Sequence, residues 1–164
     1  MAKFFSYYWI LIITLWACGN SDNSMQANIE DEVGTENTGS AAITNVTVSG
    51  SVNAYTFSVT ISSPDLGCNQ YADWWEVTDT EGNLIYRRIL AHSHVNEQPF
   101  TRSGGEVQVS ASTEVYVRAH MNNSGYSTKA FRGTVQAGFS AFDLSDDFAS
   151  DLESTQPLPD GCAF

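Results

Sequence analysis

An antiparallel β-sandwich is the fold class this sequence predicts, on three observations. From residue 42 onward apolar residues alternate with Ser and Thr at a period of two. Clusters of Gly, Pro, Asn and Asp break these runs at short intervals, and a helical period is nearly absent. Only 16% of residues are charged, whereas 42% are hydrophobic and 12% aromatic, which suits a buried sheet core and not a coiled coil. At 164 residues there is room for one domain of ordinary size.

In chain order, Lys3 precedes a mostly apolar run from Phe4 to Ala17, interrupted by Ser6 and Thr14. The run is shorter than the about 20 residues a bilayer span takes, and it fits the core of an export signal. It ends Leu15-Trp16-Ala17-Cys18. With Leu three places and a small residue one place before the Cys, this resembles the lipobox of bacterial lipoproteins. The resemblance implies a signal peptide over residues 1–17, cleavage before Cys18, and acylation of Cys18 by palmitate-type chains. It implies a protein anchored in a bacterial membrane and facing the periplasm or the cell surface. Several acyl chains, each gaining about 0.8 kcal/mol per buried CH2, hold where one chain is marginal. An ordinary secretory signal followed by a chance Cys predicts export as well.

Residues 18–41 are rich in Asn, Ser, Glu and Gly and lack hydrophobic periodicity, as expected of a flexible tether that cannot offset its own ordering entropy. The sandwich is expected over 42–136. Ile43, Val46 and Val48 open it, and Tyr55, Phe57, Val59 and Ile61 alternate with Thr56, Ser58, Thr60 and Ser62. After a turn at Ser63-Pro64-Asp65-Leu66-Gly67, Trp75 and Val77 form one arm of a hairpin and Ile85 and Ile89 the other. Gly82 supplies the positive φ of that turn. Val107 and Val109, then Val115, Val117 and Ala119, then Phe131 to Val135 complete about seven strands. That count and spacing point to a sandwich of immunoglobulin or fibronectin type. Ser103-Gly104-Gly105 reads as a turn.

Beyond residue 136 the chain carries Asp143, Asp146, Asp147, Asp151, Glu153 and Asp160 and no basic residue, so 137–164 is expected to be a short acidic C-terminal segment. Ser145 is a candidate N-cap for one or two helical turns containing Phe148 and Leu152. No calcium loop with ligands at alternate positions is present. Lys and Arg number 7 against 19 Asp and Glu, a net charge of −12, which excludes the basic face that nucleic-acid binding needs.

With Cys18 taken by lipid, Cys68 and Cys162 remain for a disulfide in an oxidising compartment. The bridge would close a loop of about 95 residues and pin the C-terminal segment, stabilising by about 4–5 kcal/mol in the chain-entropy model. A thiolate ligand or nucleophile at Cys68 is the alternative.

The three histidines, His92, His94 and His120, are the one chemical constellation. On a strand, residues i and i+2 share a face, so His92 and His94 could hold one ion together with His120. On the sixth strand His120 shares its face with Tyr116 and Arg118. Imidazole suits copper or zinc, with Glu97 as a further ligand and Met121 a weaker candidate. Surface or structural histidines account for the same pattern. The spacing of His92, His94 and His120 resembles the zinc ligands of α-carbonic anhydrases, and with Glu97 it is similar to the cupin metal motif. Neither family's other residues are present, and Glu97 comes one residue early for a cupin.

A wider resemblance covers about residues 66–136 and the final Cys. The string Cys68-Asn69-Gln70-Tyr71-Ala72-Asp73-Trp74, then Gly82, Arg88, His92-Ser93-His94, Glu97-Gln98-Pro99-Phe100-Thr101-Arg102, Arg118-Ala119-His120 and Gly125-Tyr126 is similar to uncharacterised exported bacterial proteins, which implies no activity. Tyr71, Trp74, Arg102 and Arg118 are candidate ligand contacts. Of the adjacent Trp74 and Trp75, which point to opposite faces of a strand, one is expected in the core and the other is a candidate exposed contact. No nucleotide fingerprint is present.

Three functions fit these residues. The first is a membrane-anchored extracytoplasmic binding module with a copper or zinc site. The second is an interaction or adhesion domain contacting a glycan or partner protein. The third is a small metalloenzyme using Glu97 as base.

Overall fold

A computed structural model describes residues 39–163. The export signal, Cys18 and most of the expected tether lie outside the described residues. Nine strands follow in order: β1 (Ala42–Ser51), β2 (Ala54–Ser62), β3 (Ala72–Asp79), β4 (Leu84–Ile89), β5 (Phe100–Val107), β6 (Val115–Met121), β7 (Gly125–Tyr126), β8 (Lys129–Thr134) and β9 (Gly138–Asp143). A short 3₁₀ helix spans Ser150–Ser154.

All pairings are antiparallel, and they build two sheets. One has the order β1-β2-β5, the other β4-β3-β6-β8-β9 with β7 beside β6. First, second and fifth strands facing third, fourth, sixth and eighth is an immunoglobulin-type strand distribution, extended here by β9. Alternation accounts for the core. Tyr55, Phe57, Val59 and Ile61 of β2 point inward at 6% exposure or less, against Trp75, Val77, Val115 and Val117 of the other sheet.

Several expectations are corrected. The fifth strand is Phe100–Val107, and Val109 lies beyond its end. The glycines read as a turn are inside it because neighbours crowd them. A Cβ on Gly104 would meet Tyr86 Oη at 2.5 Å, and one on Gly105 would meet Tyr55 O at 2.6 Å. The sheet also continues past residue 136: β9 pairs with β8 without a break from Lys129↔Asp143 to Thr134↔Gly138. Its inward Phe139 packs edge-on against Phe57, with ring centroids 5.6 Å apart. Ser145 does not cap the helical turn, which is entered through Ala149 in the left-handed region (φ 45°).

Trp74 and Trp75 do point to opposite faces, but both are buried, at 3% and 0% exposure. The reason is the chain after β9. It folds back over the outer face of the β3–β4–β6 sheet, so β3 is covered on both sides. The sequence signal for this was present in β3 itself, where Glu76 follows two tryptophans on a strand that is buried from Ala72 to Thr78.

Candidate functional site

The residues singled out from sequence fall into two places. The first is the end of the sandwich where β1 begins and β2, β4 and β6 finish. Here the β2–β3 and β4–β5 loops meet at Asp65, a carboxylate 5% exposed. Its Oδ1 accepts hydrogen bonds from Ser63 Oγ (2.7 Å) and the Ala72 N–H (3.0 Å). Its Oδ2 accepts from the His94 N–H (2.7 Å) and Ser93 Oγ (3.4 Å). Four donors on one buried carboxylate fix the relative position of two long loops. Gln98 adds a second tie, accepting from the Ser63 N–H at 2.9 Å and donating to His94 O at 3.2 Å.

A disulfide joins Cys68 to Cys162 across 94 residues, as expected. Beside it the Ala163 N–H donates to Ala91 O (2.6 Å), and Asn122 Nδ2 donates to Cys68 O (2.9 Å). The chain enters at this same end: Ser124 Oγ donates to Gly39 O at 2.9 Å. Two large aliphatic side chains stand out from the loop tips, Leu66 at 75% and Val95 at 47% exposure.

His92 and His94 sit in this β4–β5 loop, not on a strand, so the same-face argument does not apply. His92 is exposed. His94 is 1% exposed and stacks on Phe100 with centroids 3.8 Å apart. Both of its ring nitrogens lack a hydrogen-bond partner. The two imidazoles lie 4.5 Å apart and tilted by 35°, face against face rather than converging edge-on as ligands do. Burial, helped by nearby Arg102 and His92, holds the His94 pKa below the ordinary imidazole value and outweighs Asp65 and Glu97.

The pH consequence has a definite sign. The folded state binds fewer protons at His94 than the unfolded state does, so this contribution to stability is fully present above about pH 6.5. It is lost as pH falls through the lowered folded value. Denaturation midpoints measured between pH 7.5 and 5 should decline, and His94→Phe, which keeps the stack on Phe100, should flatten the decline. An unchanged slope in that variant would exclude His94 as its source.

The second place is the covered outer face of β3, β4 and β6. Glu76 is fully buried between two arginines. Arg87 Nε donates to its Oε2 at 2.8 Å, and Arg118 Nε to its Oε1 at 2.9 Å. One carboxylate balances one of the two positive charges. The remainder is met by backbone carbonyls of the C-terminal segment. Arg87 donates to Leu152 O (2.7 Å), Thr155 O (2.6 Å) and Pro157 O (3.0 Å), and Arg118 to Phe148 O (2.5 Å) and Ala149 O (2.8 Å). Arg87 lies over Trp74 at 4.5 Å and Arg118 over the Tyr126 ring at 3.4 Å. Burial and the Glu76 carboxylate push the Tyr126 phenol well up, so it stays protonated while Arg87 donates to its oxygen at 3.1 Å.

His120 belongs to this layer. Its Nδ1 is 2.6 Å from Asp73 Oδ1, its ring stacks on Trp74 at 3.6 Å, and Nε2 is 3.7 Å from Glu153 of the 3₁₀ helix. Glu97 is instead paired with Arg102 at 2.7 Å, which holds its carboxyl below the usual range. The three imidazoles are therefore not gathered. Among the described residues no group of three or more His, Cys, Asp and Glu is placed to hold a metal ion. Nor is either buried imidazole hydrogen-bonded to a hydroxyl or thiol that it could activate. His92 and His94 share no strand face because the chain between β4 and β5 is a loop.

Of the remaining candidate contacts, Tyr71 and Arg118 are internal, at 3% and 2% exposure, and Arg102 lies in a part-exposed ion pair with Glu97. Sequence reasoning missed Glu76, Arg87 and Asp65. Charged residues inside apolar runs were the available signal for the first two.

No protein-family model matches this chain, and no solved structure matches it. A protein of Halomicrobium mukohataei named "Putative lipoprotein" is 39% identical to it over 85 residues. The match takes in 52% of this chain and 42% of that protein, so the chain spans less than half the length of the relative.

Proposed function

We propose that this chain is a lipid-anchored, extracytoplasmic interaction domain that contacts a partner protein through its loop end, without metal. The observation that carries the reading is the contrast at that end. Of the polar groups flagged from sequence, Arg118 and His120 are tied into buried contacts and His94 is buried, while His92 is exposed and Glu97 and Arg102 pair at the surface. Meanwhile Leu66 and Val95 stand exposed on loops immobilised by Asp65 and the disulfide. Binding residues sit on loops held by a rigid scaffold, and exposed aliphatic groups on fixed tips suit a protein surface. A glycan platform would call for exposed aromatic plates, and Tyr71, Trp74 and Trp75 are buried.

Three things support anchoring and export: the Cys18 motif, a bridge that needs an oxidising compartment, and the likeness to a protein named as a lipoprotein. Among the described residues no helix is long and apolar enough to cross a membrane.

Two measurements test the reading. An acyl label should enter the full chain in cells and be lost on Cys18→Ser. Photo-crosslinking from position 66 or 95 on intact cells should give discrete partner bands that the same probe at Thr47, on the β1–β2–β5 sheet, does not. Acyl labelling that survives Cys18→Ser would remove the anchor, and indistinguishable crosslinking at all three positions would remove the loop end.

A further inference from the structure

We propose that the free edge of β9 pairs with the β9 edge of a second copy, in an antiparallel register centred on Ser140. The inference deepens the anchored-domain reading, because shared anchoring in one membrane raises the local concentration of copies.

The edges of the two sheets are not treated alike. β1 carries a bulge between Ile43 and Asn45, whereas a glycine of positive φ stands near one end of both strands, Gly50 (106°) in β1 and Gly138 (85°) in β9. The β4 and β5 edges close on one another: Arg88 donates from Nε to Ser103 O at 3.1 Å and from a terminal nitrogen to Ile89 O at 2.8 Å. Bulges and inward charges are how proteins stop edges from pairing. β9 has neither. It pairs with β8 in unbroken register, bears no charge before Asp143 and contains no Pro. Among the described residues no strand pairs with its other side. Such an edge offers a row of unpaired N–H and C=O groups to another strand.

Self-complementarity selects the partner. In a two-fold antiparallel pair, facing residues must lie on the same side of the sheet. Phe139 faces inward to Phe57, while Phe142 faces outward, stacked on Tyr116. Placing Ser140 opposite Ser140 meets that rule. It sets Phe139 against Ala141 of the second copy and Phe142 opposite its Gly138. Gly138 borders an open cavity of about 390 Å³, lined also by Glu114, Arg132, Thr134, Phe139 and Ser140. Nothing lies within 4 Å of where a Gly138 Cβ would be, so the phenyl ring of the second copy meets open space beside the cavity. Asp143 falls outside the paired stretch, so no like charges oppose each other.

A five-residue paired stretch buries less than the about 1,200–2,000 Å² of a stable interface, and each chain carries −12. The contact is therefore weak in dilute solution. It depends on the about millimolar effective concentrations that tethering gives and strengthens with salt.

The test uses the full chain in its membrane with Ser140→Cys. Facing Cα atoms in an antiparallel pair are about 4.5–5.5 Å apart, within disulfide range. Mild oxidation should give a covalent dimer as the main product, with a higher yield at high salt. Adding Phe142→Ala should lower that yield severalfold. Thr47→Cys, on the β1 edge, should stay monomeric. No dimer from Ser140→Cys, or equal dimer from Thr47→Cys, overturns the proposal. Acyl labelling of the same sample reports the anchor separately. A labelled chain that does not cross-link overturns the edge contact alone. An unlabelled chain that still cross-links supports the edge contact and removes the anchor.

Discussion

Replacing Glu76 by Gln is expected to cost about 3–5 kcal/mol of folding stability, the range for removing one partner of a buried ion pair. The substitution hardly changes shape. It removes the only carboxylate between two guanidiniums that are themselves 5% and 2% exposed. For a domain of this size the loss corresponds to a fall of about 10–20 °C in midpoint, read by circular dichroism or calorimetry. Replacing all three by apolar residues of similar volume often restores stability at such sites. Here it should not fully do so, because five carbonyls of the C-terminal segment would lose their donors. Limited proteolysis distinguishes the two effects: the triple variant should be cut between residues 144 and 163 faster than the native chain. A midpoint within 2–3 °C of native for Glu76→Gln would show that water reaches this layer.

The second large effect is expected from Cys68→Ser with Cys162→Ser. The bridge spans 94 residues, for which the chain-entropy model gives about 4–5 kcal/mol. Most of this acts on the unfolded chain, so the native fold should survive with a lower midpoint. Locally, the released tail is still held by the two arginines, so its detachment should depend on both devices. Combining the double Ser variant with Glu76→Gln should then depart from additivity, since the two share the C-terminal segment. Reducing agent that leaves the midpoint of the native chain unchanged would refute the stabilising role.

The loop end and the arginine layer differed in how visible they were. Cys68 and Cys162 could be paired by elimination, because after Cys18 only two thiols remain. The β2 strand was legible in its alternation of Tyr55, Phe57, Val59 and Ile61 with hydroxylated residues. β9 was not, because Phe139 and Ala141 were read as part of an acidic tail, and the partner that buries Phe139 is Phe57, some 80 residues away. The reading of His92 and His94 as sharing a face assumed a strand where the chain between β4 and β5 is a loop. One loop residue shifts the facing of every side chain after it, and no spacing rule sees that.

What the sequence determined by itself is what depends on neighbours a few residues apart. The period of two made strands, Gly82 made a turn, and an apolar run before Cys18 predicted export. What only the tertiary structure decided is which polar groups remain free for a ligand. Burial and partnering are set by segments distant in the chain: the C-terminal carbonyls that claim Arg87 and Arg118, and the β2–β3 loop carboxylate that fixes the loop of His94. The free energy of a charged side chain depends on what surrounds it in space. That is why Arg118 and His120, read from sequence as surface groups, lie in the buried polar layer against the C-terminal segment.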